Sequence, residues 1–339
     1  MALSENYSFR SRLLNFFRSG QLSGWDKILV RISPEYVYRR NSEVISGEYK
    51  KRRTTGFGEL NEVIAIEDYS GSNDVAIKIA SYLQAAAGDA LIGAYVHGSI
   101  ATSEEISYSD FDGLVIVKND CVISSEKLIT LTAALKETER MMLEMDPLQH
   151  HGWFILTEDE LADYPEYYFP HALFQYSKVL FGARTINIGL RKEGYSAEFS
   201  RSFLNLSQSV LRKLESKIFL ENNYVFKNLL SEFMLLPAVF IQAKTGKGIF
   251  KKFSFDMIGK EMGEKYDVMM EISGVRQKWQ FKGTELLLKM NRRMNIFSPH
   301  RYAKSLSGSV PDEVRNIFDD AMLKRMREFV MDLIGRLKQ

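Results

Sequence analysis

Two carboxylates one residue apart, Asp110 and Asp112, follow a glycine-serine turn at Gly98 and Ser99, and apolar runs flank both groups. Side chains alternate along an extended chain, so Asp110 and Asp112 project from one face and Phe111 from the other. Carboxylates that share a face can share a divalent cation, and an oxygen-only ligand set favours Mg2+ or Mn2+ over zinc. Residues 90–97 read as a short apolar strand. A Gly-Ser turn at its end lets backbone N–H groups come close to a phosphate. The chemistry these residues suggest is the holding of a metal-bound triphosphate.

The order of strand, Gly-Ser, short helix or loop, and Asp-x-Asp on the next strand resembles the nucleotidyltransferase superfamily that includes DNA polymerase beta, over roughly residues 74 to 157. The resemblance implies that Gly98 and Ser99 contact a nucleoside triphosphate, ATP foremost, and that Asp110 and Asp112 carry Mg2+ or Mn2+. It also implies a third carboxylate on a later strand. The next strand candidate, 148–156, contains no Asp or Glu, and His150 or His151 stands in that place. Period-two geometry allows only one of the two histidines to face the metal site. His151 is the catalytic candidate, as an imidazole able to take the acceptor's proton. Three alternatives stay open: Asp146 or Glu158 entering the site, an acid from the second domain, or a chain that binds nucleotide without transferring it.

These residues need a sheet to hold them. Helical patterns over 75–86 and 124–145 alternate with the apolar strands, which predicts an α+β fold: a small mixed sheet backed by helices. From 196 onward the apolar spacing is helical, with a second helix over 223–244 kinked at Pro237 and a last one from about 312 to 337. The predicted organisation is an N-terminal extension (1–73), a nucleotidyltransferase domain (74–182) and a helical C-terminal domain (183–339). The extension opens with an amphipathic helix near 7–18 and contains a glycine-bearing loop, Thr54 to Gly58, that could lie near substrate. In the second half, a helix ends in Lys244-Thr245-Gly246-Lys247-Gly248. Its spacing is not that of a Walker P-loop. The segment resembles the helical domains of small-substrate nucleotidyltransferases, where lysines face the triphosphate; Lys247 and Lys251 are the cofactor-binding candidates, with Lys252 beside them.

The single cysteine, Cys121, excludes a disulfide framework and a cysteine-rich zinc site. A net charge of +2 and the lack of a continuous basic stripe argue against long RNA or DNA as acceptor. Basic residues do cluster at 50–53, and residues 244–304 hold fourteen Lys and Arg against six Asp and Glu, which would suit a triphosphate. With no apolar run near the roughly 20 residues of a membrane span and no signal-like N-terminus, a cytoplasmic location is expected. The leading functional expectation is transfer of a nucleoside monophosphate to a hydroxyl of a small molecule such as an aminoglycoside-type antibiotic, of another nucleotide, or of a protein side chain. The second is a nucleotide sensor of the same fold.

Overall fold

The computed structural model describes residues 2–18, 24–52, 58–281, 283–292 and 299–338. Most of the loop expected from Thr54 to Gly58 lies outside them. The N-terminal part is helical: α1 (Ala2–Phe17), α2 (Asp26–Ile32) and α3 (Pro34–Arg52). There follow β1 (Leu60–Ala65), β2 (Glu67–Asp68), α4 (Asp74–Ala87), β3 (Leu91–His97), α5 (Gly98–Thr102), β4 (Asp112–Val117), α6 (Asn119–Val122), α7 (Ser125–Met145), β5 (Phe154–Thr157) and α8 (Glu158–Ala162). Two more strands, β6 (Lys178–Gly182) and β7 (Thr185–Leu190), precede a helical half. That half comprises α9 (Ser196–Ser216), α10 (Asn223–Thr245), α11 (Lys251–Met262), α12 (Asp267–Lys278), α13 (Glu285–Arg292), α14 (Pro299–Leu306), α15 (Asp312–Arg315) and α16 (Asp320–Leu337).

The class is α+β. A five-stranded mixed sheet runs β2-β6-β3-β4-β5, with β3 antiparallel to both β4 and β6 and with β4 parallel to β5. Separately, β1 and β7 form an antiparallel ribbon. Alternation along the central strands assigns each residue to a layer. Val96, Val115 and Val117 pack with α1, α3, α4 and α7 on one face, while Tyr95, Leu114 and Ile116 pack on the other with Phe169, Phe174 and Ile188. Both faces of the sheet are therefore covered, which explains why β3 and β4 read as continuous apolar runs rather than alternating ones.

Local signals set the helix starts that matter for the site. Asn73 caps α4, its side chain accepting from the N–H groups of Val75 and Ala76 at 3.1 Å each. Ser124 caps α7 and Asn222 caps α10. α10 is buried nearly all round and forms the axis of the third core. It is the one helix among the described residues long and apolar enough to cross a membrane, and 67% of that stretch is buried inside the protein. It continues past Pro237 as a single helix. The helix expected from 312 to 337 is broken instead. Asp319 caps α16 by accepting the Met322 N–H at 2.7 Å, so the chain turns between Arg315 and Asp320. The N-terminal helices are not peripheral: Phe9, Leu13, Phe16 and Phe17 share the core of α4 and α7. Buried Arg10 donates to the Ile155 carbonyl of β5 at 3.1 Å.

Candidate functional site

Asp112 opens β4 and pairs in register with His97, the last residue of β3. The chain then turns at Gly98, whose φ of +68° favours glycine, and a Cβ there would sit 2.4 Å from Asp112 Oδ2. The Gly-Ser turn and the second aspartate thus stand in van der Waals contact at one end of the sheet. Ser99 is half-buried in the first turn of α5.

Asp110 lies outside the strand, and Gln149 holds it in line. The buried Gln149 amide accepts the Phe111 N–H at 2.9 Å and donates to the Phe111 carbonyl at 2.8 Å, as a neighbouring strand would. Phe111 is buried against Trp153, with ring centroids 5.9 Å apart. Both aspartates consequently face the same way. Gln149 Nε2 also donates to the His151 carbonyl at 2.9 Å, tying the histidine loop to the aspartate loop.

β5 begins at Phe154, so His150 and His151 belong to an irregular segment and not to the strand expected over 148–156. This corrects the period-two reading, because both histidines reach the aspartates. His150 Nδ1 lies 3.0 Å from Asp110 Oδ2, and His151 Nε2 lies 3.6 Å from the same oxygen and 3.1 Å from Asp112 Oδ1. Burial works against a charged imidazole at His151, but the Asp112 carboxylate outweighs it and pushes the group up to about 9. A value near 9 favours the imidazolium at neutral pH. His97, buried between Phe154 and Phe169, is pushed down by desolvation and stays neutral.

Four further residues in the site carry no motif signal. Lys227, on α10, is 2% exposed and pairs with Asp110 Oδ1 and, at 2.6 Å, with Asp146 Oδ2. Despite burial, Asp110 is held well below the usual carboxylate range by the ammonium, and Lys227 is raised by the two carboxylates. Burial pushes Asp146 up to about 6, with Asp110 adding to the shift. Tyr108 anchors the loop before Asp110 to α10, donating to the Lys227 carbonyl at 2.8 Å. Arg276 of α12 stacks on the same ring, its Cζ 4.4 Å from the centroid. Glu139 of α7 backs the histidine loop: its carboxylate fills the space a Cβ at Gly152 would take, and burial pushes it up to about 7.

The two lysine candidates part company. Lys251 begins α11 and feels Arg276, Asp112 and Asp110; burial and then Arg276 push its ammonium down to about 7. It has no ion pair among the described residues. Lys247 is exposed, and Lys252 is drawn away to Glu104 at 2.5 Å. The turn bearing these lysines is tied to the sheet half by Glu166, a buried acid in the connection after α8. Glu166 accepts the Gly248 N–H at 3.0 Å and the His171 N–H at 2.8 Å, and its Oε2 lies 2.8 Å from His171 Nδ1.

No protein-family model matches the chain, and no curated protein matches it. Among solved structures, the crystal structure of spectinomycin adenyltransferase AAD(9) from Enterococcus faecialis, with ATP and spectinomycin, is similar over 79% of this chain and 100% of its own, at 14% identity and a TM-score of 0.35. A likeness of that extent leaves the functional argument to the residues themselves.

Proposed function

We propose that the cleft beside Asp110 and Asp112 binds a nucleoside triphosphate and transfers its nucleoside monophosphate to a hydroxyl of a small molecule, with pyrophosphate leaving. The observation that carries this reading is the pairing of opposites across the cleft. A glycine turn and an Asp-x-Asp pair meet Lys251, whose ammonium feels both aspartates, and beside it Arg276; the two cations have no carboxylate partner within salt-bridge distance among the described residues. Two like charges held close in a half-buried wall repel each other, and Arg276 Nε has no hydrogen-bond partner. A polyphosphate answers both costs with charge-assisted hydrogen bonds.

In this reading Lys251 and Arg276 bind the triphosphate, and the backbone at Gly98 and Ser99 orients it. The acceptor hydroxyl attacks the α-phosphorus in line with the departing pyrophosphate, and its hydrogen points to the Asp112 carboxylate. His151, as imidazolium, offsets charge on the phosphate oxygens. Positioning and electrostatics supply most of the rate, as is general for phosphoryl transfer.

The residues do not fit the oxygen-only pair of Mg2+ ions implied by the resemblance. Asp110 Oδ1 is taken by Lys227, Oδ2 faces His150, and β5 brings no third carboxylate. The same observation favours a second reading, a nucleotide-binding sensor in which transfer is weak. Pyrophosphate release from the four ribonucleoside triphosphates, with pooled hydroxyl metabolites, decides between them. Release lost in both Asp112→Asn and Lys251→Met supports transfer. Nucleotide binding that needs Lys251 but gives no release supports the sensor, and binding indifferent to Lys251 overturns both.

A further inference from the structure

The centre of the site is rich in nitrogen donors. One ligand atom from each of Asp110, His150 and His151 lies within 4.8 Å of the other two, and Asp110 Oδ2 is 3.0 Å from His150 Nδ1 and 3.6 Å from His151 Nε2. In a tetrahedral or octahedral shell with metal–ligand bonds of about 2.0–2.2 Å, neighbouring ligand atoms stand about 3–3.5 Å apart. His150 Nδ1 is buried and makes no hydrogen bond, although Asp110 Oδ2 is within reach.

Charge balance points in the same direction. An ion bound at His151 Nε2 replaces the proton that the imidazole otherwise carries, and Asp110, Asp112 and Asp146 then face one ammonium, that of Lys227, which leaves two negative charges in a buried pocket. A divalent cation cancels them. Lys251 and Arg276 lie on the phosphate side, where the ligand's own charge offsets theirs.

We infer that Asp110, His150 and His151 form a binding site for one divalent transition ion of the Zn2+ class, in preference to Mg2+. Two imidazoles and one carboxylate suit a borderline-soft ion, whereas Mg2+ demands an oxygen shell. His150 binds through Nδ1 and His151 through Nε2. Consecutive histidines manage this because their backbone lies in the irregular segment before β5. Asp112, 3.1 Å from His151 Nε2, borders the ion, and Lys227 holds Asp110 in place from behind.

The test uses untagged full-length protein stripped with a chelator, then dialysed against Zn2+, or Co2+ as a coloured substitute, in excess Mg2+ and without nucleotide. One equivalent per chain is expected, with visible Co2+ bands that change in His150→Gln and in His151→Gln and affinity reduced at least about tenfold in each. Both variants should keep the wild-type circular dichroism spectrum. No uptake by the wild type, uptake unchanged in the double variant, or displacement by equimolar Mg2+ each overturns the inference. This site shares its aspartate with the proposed transfer centre, but the two fail separately: metal uptake does not need Lys251, and Lys251→Met tests nucleotide binding without touching a metal donor.

Discussion

Replacing Lys227 with methionine keeps most of the side-chain volume and removes one buried charge between two carboxylates. The cost follows from the burial of those partners. Asp146 sits at about 6 against an ordinary 3.8 even with the ammonium 2.6 Å away, which costs the folded protein about 3 kcal/mol when the group is ionised. The sign is that of a raised carboxyl group: stability is full below the ordinary value and is lost as pH rises through about 6. Without Lys227, Asp146 rises further and Asp110 loses its strongest partner, so breaking the cluster costs about 3–5 kcal/mol at pH 8. At pH 5 the loss is smaller, because Asp146 takes up a proton. Asp146→Asn keeps the bond from the Leu148 N–H, now 3.0 Å from Oδ1, and removes the costly charge. Urea denaturation of the wild type, both single variants and the double variant at the two pH values gives the coupling directly. At pH 8 the double variant should be more stable than Lys227→Met, with a coupling energy of at least about 2 kcal/mol. Simple additivity, or a Lys227→Met loss that is the same at pH 5 and pH 8, would refute the reasoning.

On the proposed reading, Lys251 makes triphosphate binding pH-dependent. Its ammonium is the binding form and titrates near 7 in the free protein, so affinity falls as pH rises from 6 to 8. Lys251→Met should bind about 10- to 100-fold more weakly at pH 6, with a flatter pH profile in titration calorimetry, since a hydrogen bond to a charged group contributes about 1.5–3 kcal/mol. An unchanged profile in that variant assigns the dependence to another group. Gln149→Leu removes the amide that bridges Phe111 and His151 and leaves a buried N–H and C=O unpaired. It should destabilise the fold by about 2–4 kcal/mol and, under conditions where it remains folded, abolish nucleotide binding and metal uptake together. Loss of stability with both binding events intact would confine Gln149 to a packing role.

The sheet was readable because β3 and β4 carry uninterrupted apolar runs whose alternation matters only for which layer each residue enters. Asp112 was legible as the opening residue of β4, whereas Asp110 precedes the strand and shares its direction only because Gln149 pairs with Phe111. The histidines were misread because period two applies only where the backbone is extended, and Gln149 replaces a strand partner just where the regular pairing stops. Lys227 was hidden in a helix chosen for its apolar stripe, where a lysine reads as the solvent side. A hint lay in α10 itself, apolar on nearly every face and so without a solvent side to offer. Arg276 and Glu139 lay in helical patterns with nothing to mark them, since what brings them to the site is packing between distant elements. The turn at 244–248 did point to Lys251, but chain spacing could not separate it from Lys247, because α11 starts at Lys251 and turns the two in different directions.

Glu166 ties the two sides of the site together. A buried carboxylate that accepts one amide from its own segment and another from Gly248 has its full set of donors only after the sheet and the lysine-bearing turn have met. The cationic wall is therefore held in place by a contact that crosses between the two halves, and it stands under repulsion between Lys251 and Arg276. On the proposed reading, an anion that bridges the wall to the glycine turn acts as a rivet across that seam. It holds the two halves at the separation the chemistry needs, and the same contact that recognises the ligand completes the tertiary structure.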